Sequence, residues 1–213
     1  MVSHDLKAPL RSIDTLINWF IEDNQAMMNE TNLKSLNLIL SNVEKMDFLI
    51  KGILNYTAVD NKENQDRIID LNILIEETLR TIHISEQVKI TIKNHLPKVF
   101  GNDFRYKQLF QNLIQNAIKY NDKENITVEI GNSESDTEIS FYVKDNGIGI
   151  PEQYQTRIFD IFSKLENNDP SSGIGLSIVK KIIDFYNGTI WLESQENIGT
   201  TFHFTIPKEN GAA

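Results

Sequence analysis

The chain has 213 residues, 40% of them hydrophobic, and a formal charge of −9 at neutral pH, enough length for one large domain or two small ones. The acidic balance argues against a nucleic-acid binder, whose phosphate-facing surfaces are basic, and any phosphate ligand must be held locally by backbone amides, a metal ion and a few lysines. There is no cysteine, hence no disulfide framework or thiolate metal site, which suits the cytoplasm; with no apolar run of bilayer-crossing length and no signal-peptide pattern, no membrane contact is expected within this stretch.

The first predicted helix carries Leu6, Leu10, Ile13, Ile17 and Phe20, which step by four and three in a heptad seam. Pro9 removes an amide donor and is expected to kink or loosen the turn above it. His4 lies two positions before the seam, on the flank facing solvent. Imidazole is a good nucleophile near neutral pH, and the neighbouring Asp5 carboxylate can fix its tautomer and accept its proton. The alternative is two solvated polar residues.

Residues 24–30 read as a loop, with Thr31 as the N-cap of a second helix. Its apolar face holds Leu33, Leu36, Leu40, Val43, Ile50 and Leu54 and is widened by Ile39, Met46 and Ile53. That face is broader than one hairpin buries, so residues 1–60 are expected to pair with a second copy as a four-helix bundle. Packing against the rest of the chain is the alternative. The stretch from Val59 to Arg67 is polar and aperiodic and reads as a linker, assigned to 61–66.

A second domain, 67–208, follows, with 209–213 as a tail. Asp70 or Asn72 caps a helix reaching about Ile82, and Val88 to Asn94 alternates like a strand. Asp103 to Tyr120 is a long amphipathic helix. Strands are predicted over Ile126–Ile130 and Glu138–Lys144, a helix over Ser172–Tyr186, and a closing hairpin over Thr189–Glu193 and Thr200–Ile206. The class is α+β: a helical hairpin, then an α/β sandwich whose mixed sheet is covered on one face by helices.

Three boxes in the second domain have the composition of a ligand site. Asn112, Asn116 and Lys119 share one face of the long helix; their amide oxygens suit Mg²⁺ and its water shell, and the lysine can reach a phosphate. An ordinary polar helix face fits equally. Asp145-Asn146-Gly147-Ile148-Gly149 follows a strand: the glycines allow a tight turn and close approach of a flat ligand, and a buried aspartate could accept the exocyclic amine of adenine. A turn with an Asx cap is the alternative. Gly173-Ile174-Gly175 opens a helix, where exposed amides at the positive dipole end cradle phosphate; a flexible loop and cap is the alternative. Between these two boxes lie Phe159, Phe162, Lys164 and a polar, proline-bearing stretch that could act as a lid.

In this order the boxes resemble the sensor histidine kinases of two-component signalling over nearly the whole chain. Residues 1 to about 60 resemble the dimerisation and histidine-phosphotransfer domain, and 67–208 the catalytic ATP-binding domain of Bergerat type. The resemblance implies that His4 is the phosphoacceptor and that Asp5 orients and deprotonates it. It implies Asn116 as the Mg²⁺ ligand beside Asn112, with Lys119 and Tyr120 contacting nucleotide. Asp145 would bind adenine, Gly147 and Gly149 would wall the pocket, and Gly173 and Gly175 would hold phosphates; Lys164, Leu176 and Thr200 are counted with the nucleotide-binding residues. The implied cofactors are ATP and Mg²⁺, and the implied partners a second copy of the chain and the receiver domain of a response regulator.

Three positions depart from that family. Ser171 stands where a further glycine usually precedes Gly173, which bears on lid mobility. Ala8 stands where Thr or Asn positions water in members with strong phosphatase activity. The family's first helix extends well upstream of its histidine, whereas His4 falls in a first turn, where fraying is expected; this stretch is expected to bind ATP well but to phosphorylate His4 more poorly than one with the upstream helix restored. The remaining histidines, His83, His95 and His203, have no metal-ligand spacing, and Trp19 and Trp191 read as packing residues.

Overall fold

The structure is a computed structural model that describes residues 2–25, 27–60, 66–163 and 173–208, without the side chains of residues 2–6. Two helices open the chain, α1 (Val2–Asn24) and α2 (Glu30–Ala58), joined by a short turn and packed on one another. α1 runs on through Pro9, so the loosening expected there does not interrupt it. The cap of α2 falls two residues before Thr31: Asn29 takes an extended conformation and its side chain accepts from the Asn32 amide at 2.8 Å, satisfying a first-turn N–H that the threonine was expected to serve.

The hairpin buries little of its own apolar surface. Leu10 is buried, as are Val43 and Gly52 on α2, whereas Leu16, Phe20, Ile39 and Met46 stay between 45% and 60% exposed. The polar stretch after α2 differs from expectation at its first residue. Val59 is fully buried in the core of the following domain, and the first strand begins at Arg67.

That domain comprises β1 (Arg67–Asp70), α3 (Leu71–Thr81), β2 (Val88–Ile92), β3 (Lys98–Gly101), α4 (Asp103–Lys119), β4 (Ile126–Glu134), β5 (Glu138–Asp145), the single turn α5 (Glu152–Gln155), α6 (Gly175–Phe185), β6 (Ile190–Gln195) and β7 (Gly199–Pro207). Five strands form a mixed sheet in the order β2-β4-β5-β7-β6, with β2 parallel to β4 and the other pairs antiparallel. β1 and β3, which the sequence reading did not contain, form a separate antiparallel pair. Their four-residue length leaves no room for an alternation to register; of the adjacent Ile68 and Ile69 only the second is buried. α6 begins at Gly175, and Ser172, its expected start, lies outside the described residues.

The period-two pattern of β4, β5 and β7 sends one row of apolar side chains under α4 and α6. Phe141 and Phe204 stack at 5.0 Å, and Phe110 of α4 meets both edge-on at 6.1 and 5.9 Å; each such buried side chain contributes about 1.5–3 kcal/mol. The opposite face of the sheet is open. Trp191 lies there, 40% exposed and stacked on His203, whereas Trp19 of α1 is 59% exposed and is not the packing residue expected.

Candidate functional site

α4 owes its position to one buried cap. Asn102 accepts from the amides of Phe104 and Arg105 through its side-chain oxygen, and the stripe from Leu109 to Ala117 is buried against the sheet. The flank of that stripe, toward the C-terminal end, carries Asn112 and Asn116, with Tyr120 as the C-cap. Asn112 donates to the Gln108 carbonyl at 2.8 Å, and its oxygen sits 3.1 Å from the point where a Cβ on Gly175 would lie. Gly175 therefore lets the start of α6 come up against α4. The Asn116 side chain has no hydrogen-bond partner among the described residues. Lys119, more exposed, donates to the Tyr120 hydroxyl at 3.3 Å and lies 4.7 Å over that ring.

β5 delivers Asp145 to the same place. One carboxylate oxygen accepts from the amides of Gly147 at 2.8 Å and Thr200 at 3.2 Å; the other has no protein partner among the described residues. Burial pushes the carboxyl up from its ordinary range, and the two amides oppose that only in part. The turn that follows is held from three sides. Asn146 accepts from Asn121 and from the Thr127 amide, each at 2.9 Å, and donates to the Asn125 carbonyl. Ile148 donates to the Tyr120 carbonyl. Ser194 accepts from the Ile150 amide at 2.8 Å and shares a second hydrogen bond with the Thr200 hydroxyl.

These contacts divide the glycines by role. Gly149, with φ +71°, lies on the Gln195 carbonyl, which a Cβ would strike. Gly147 lies under the Tyr120 carbonyl in the same way; it packs the turn onto the end of α4 and does not line the pocket, unlike the wall position expected of it. Gly173, φ +68°, sits where a Cβ would be 2.8 Å from the Ser163 carbonyl, and its own carbonyl accepts from Phe162. Phe162 and Ser163 thus meet Gly173 across the backbone. Lys164 and Ser171 lie outside the described residues.

A narrow pocket of about 70 Å³ results, lined by Asn116, Tyr120, Asp145, Gly149, Leu176 and Thr200 and walled by Ile148, Ile150, Ile158 and Phe202. It shares Asn116, Tyr120, Ile158, Ser163 and Leu176 with a cleft of about 520 Å³ that also holds Asn112, Lys119, Gly173, Gly175 and Phe48 of α2. A groove of about 780 Å³ on β1, α3 and α4 is larger, but two of its carboxylates are engaged, Asp70 by Asn72 and Asp103 by Arg67. The smaller pocket has the chemistry: an anionic acceptor at the base of apolar walls suits a flat heteroaromatic ring bearing an amine, and the cleft beside it ends at the positive end of α6, whose N-cap residue Ile174 makes no side-chain cap hydrogen bond.

Among the described residues no group of three or more His, Cys, Asp or Glu side chains is placed to hold a metal. A divalent ion carried on ligand phosphates needs less, and the Asn116 amide, unpartnered on the wall shared by pocket and cleft, offers a hard oxygen ligand of the right kind. Asn116, Tyr120, Asp145, Gly149, Leu176 and Thr200 are thus brought together, with Asn112, Lys119, Gly173 and Gly175 around the adjoining cleft. His4 and Asp5 fall in the first turn of α1, their side chains outside the described ones. Asn146, Ser194 and Phe48 are the residues the sequence reading missed. Asn146 stood inside the aspartate box without a role, and nothing in Trp191-Leu-Glu-Ser194 marks a serine that braces a turn.

Residues 101–210 match the family described as histidine kinase-, DNA gyrase B-, and HSP90-like ATPase. Cyanobacterial phytochrome B of Nostoc sp. is 36% identical over 97% of this chain, and the methanogenesis regulatory histidine kinase FilI of Methanothrix harundinacea is 33% identical over 97%. The chain spans 28% and 24% of the length of those two relatives. Among solved structures, the catalytic domain of histidine kinase ThkA is similar with a TM-score of 0.56 and 32% identity, covering 68% of this chain and 98% of that one. ThkA in complex with the response regulator protein TrrA is similar over 98% of this chain and 61% of that one, with a TM-score of 0.64 and 28% identity. No helix among the described residues is long and apolar enough to cross a membrane.

Proposed function

The chain belongs to the histidine kinase-, DNA gyrase B-, and HSP90-like ATPase family, among its histidine kinases, and from that premise we propose that it transfers the γ-phosphoryl group of ATP to His4 and then to an aspartate of a response regulator. The observation that carries the reading is the Asp145 pocket: a half-buried carboxylate pinned by two amides, set beside an Asn116 amide without a partner among the described residues and the N-terminal end of α6.

In this reading the second Asp145 oxygen accepts the exocyclic amine of adenine, the one hydrogen-bond donor on that edge, and the apolar walls exclude water from the ring. Gly173 and Gly175 let the phosphates approach the first amides of α6, and Lys119 adds positive charge at the mouth. Asn116 would hold Mg²⁺, which supplies charge neutralisation on the phosphates. The His4 imidazole attacks the γ-phosphorus in line; the N–P bond forms as the bond to the β–γ bridging oxygen breaks, ADP leaves, and Asp5 takes the ring proton. The protein's contribution is chiefly positioning and electrostatics. Two hairpins pair through their exposed apolar faces into the four-helix bundle, placing the reaction in a cytoplasmic homodimer. The TrrA complex of ThkA supports a receiver domain as the second partner.

Incubation with γ-labelled ATP tests this. Acid-labile, base-stable label is expected on the chain, absent in His4→Gln although that variant binds ATP equally, and movable to the receiver domain of a response regulator. Hydrolysis without label would identify an ATP-driven clamp instead, and binding without either a nucleotide-stabilised scaffold.

A further inference from the structure

α2 has no basic residue in its own last turn, although the carbonyl end of a helix carries partial negative charge and carbonyls without intrahelical partners. The cations come from the second domain. Lys181 of α6 donates to the Tyr56 carbonyl at 2.9 Å and to Asp60 at 2.7 Å, with its ammonium 4.1 Å over the Tyr56 ring. Arg105 of α4, 3% exposed, donates to the Val59 carbonyl at 2.9 Å, reaches Asp66 at 3.4 Å and lies 3.8 Å over the Phe185 ring. A buried guanidinium is stable only with its acceptors in place, so if the end of α2 departed, Arg105 would lose the Val59 carbonyl.

The two helices that supply this cap also build the nucleotide site at their other ends. From Arg105 to Asn116 is about 16 Å of α4, and from Lys181 to Gly175 about 9 Å of α6, at 1.5 Å per residue. A third contact lies nearer the cleft: Ile174, between Gly173 and Gly175, packs on Gly52 of α2, where a Cβ would collide with it. α2 in turn carries α1, on whose first turn His4 stands.

We propose that Arg105 and Lys181 are positioning residues that together form the C-terminal cap α2 lacks, so that the last turn of α2 and the docking of the nucleotide domain form or break as one unit. The angle between the hairpin and the ATP site is set at this junction. The kinetic consequence rests on His4 being the phosphoryl acceptor; the cap itself does not.

Hydrogen–deuterium exchange and kinetics separate the two. In Lys181→Gln and in Arg105→Gln, exchange across residues 53–60 is expected to rise at least tenfold while α4 and β5 stay protected. ATP affinity should remain within twofold, and the rate of His4 labelling at saturating ATP should fall at least fivefold. Lys181→Arg should restore both protection and rate. Unchanged exchange in both variants overturns the proposal, as does a loss of labelling accounted for entirely by weaker ATP binding. Should Arg105→Gln fail to fold, Lys181→Gln decides, since its partner Asp60 is exposed and its removal leaves no buried charge. If the unsubstituted chain takes no label on His4, the kinase reading fails, and the exchange data still decide the cap.

Discussion

Burial pushes the Asp145 carboxyl above its ordinary value of 3.8, and the amides of Gly147 and Thr200 draw it back only partly. A carboxyl whose folded pKa is raised contributes stability below its unfolded pKa and loses it as pH rises through the folded value. At pH 7 the ionised group therefore destabilises the ligand-free fold. Asp145→Asn keeps an oxygen for both amides, so its thermal midpoint at pH 7 should equal or exceed that of the unsubstituted chain, the advantage vanishing toward pH 4. Its ATP affinity should fall roughly 10- to 100-fold, the scale of a charged hydrogen bond at about 1.5–3 kcal/mol. Melting curves at the two pH values and calorimetry check both halves. Gly149→Ala tests the turn: a left-handed residue driven against the Gln195 carbonyl should cost about 2–4 kcal/mol and lower the melting temperature by roughly 5–15 °C. The aspartate and the glycines are legible in the sequence because their chemistry is local. Ser194 is not, since its role exists only where the β6–β7 hairpin closes on the aspartate turn.

α4 is the element on which the site turns, and its legibility follows from its length: seventeen residues repeat the helical period often enough to separate a buried stripe from an amide face. Asn102 seats it. Asn102→Ala should cost about 1–2 kcal/mol through the lost cap, seen as a melting temperature lower by roughly 2–8 °C, with ATP affinity reduced because Asn116 moves with the helix. Short elements escape such reading. β1 and β3 form by pairing with each other across about thirty residues of intervening chain, and four residues carry no usable period. The cap of α2 shows the same limit, since Asn29 and Thr31 are both good caps and only the path of the chain out of α1 selects the first.

For the whole molecule, the exposed seam of the hairpin is the largest unmet demand. Leu16, Phe20, Ile39 and Met46 remain in water in a single chain, where burial would contribute about 1.5–3 kcal/mol apiece. Sedimentation equilibrium is expected to give twice the 24.5 kDa chain mass. Leu16→Glu with Phe20→Glu should return one chain mass and leave ATP affinity unchanged, because neither residue approaches the pocket.

The sequence alone was sufficient for the long helices, the main strands and the boxes that meet around the candidate pocket, because helical periods, strand alternation and glycine-bearing boxes are written within short windows. Tertiary structure decided what depends on distant segments meeting. It carried Val59 out of an apparent linker into the core, gave Gly147 to packing and Gly149 to the pocket, and supplied Ser194 as a brace. It also brought Arg105 and Lys181 to the end of a helix whose own last turn has no cation. A local window records what a residue can do; which carbonyl it finally meets is fixed by the packing of the whole chain.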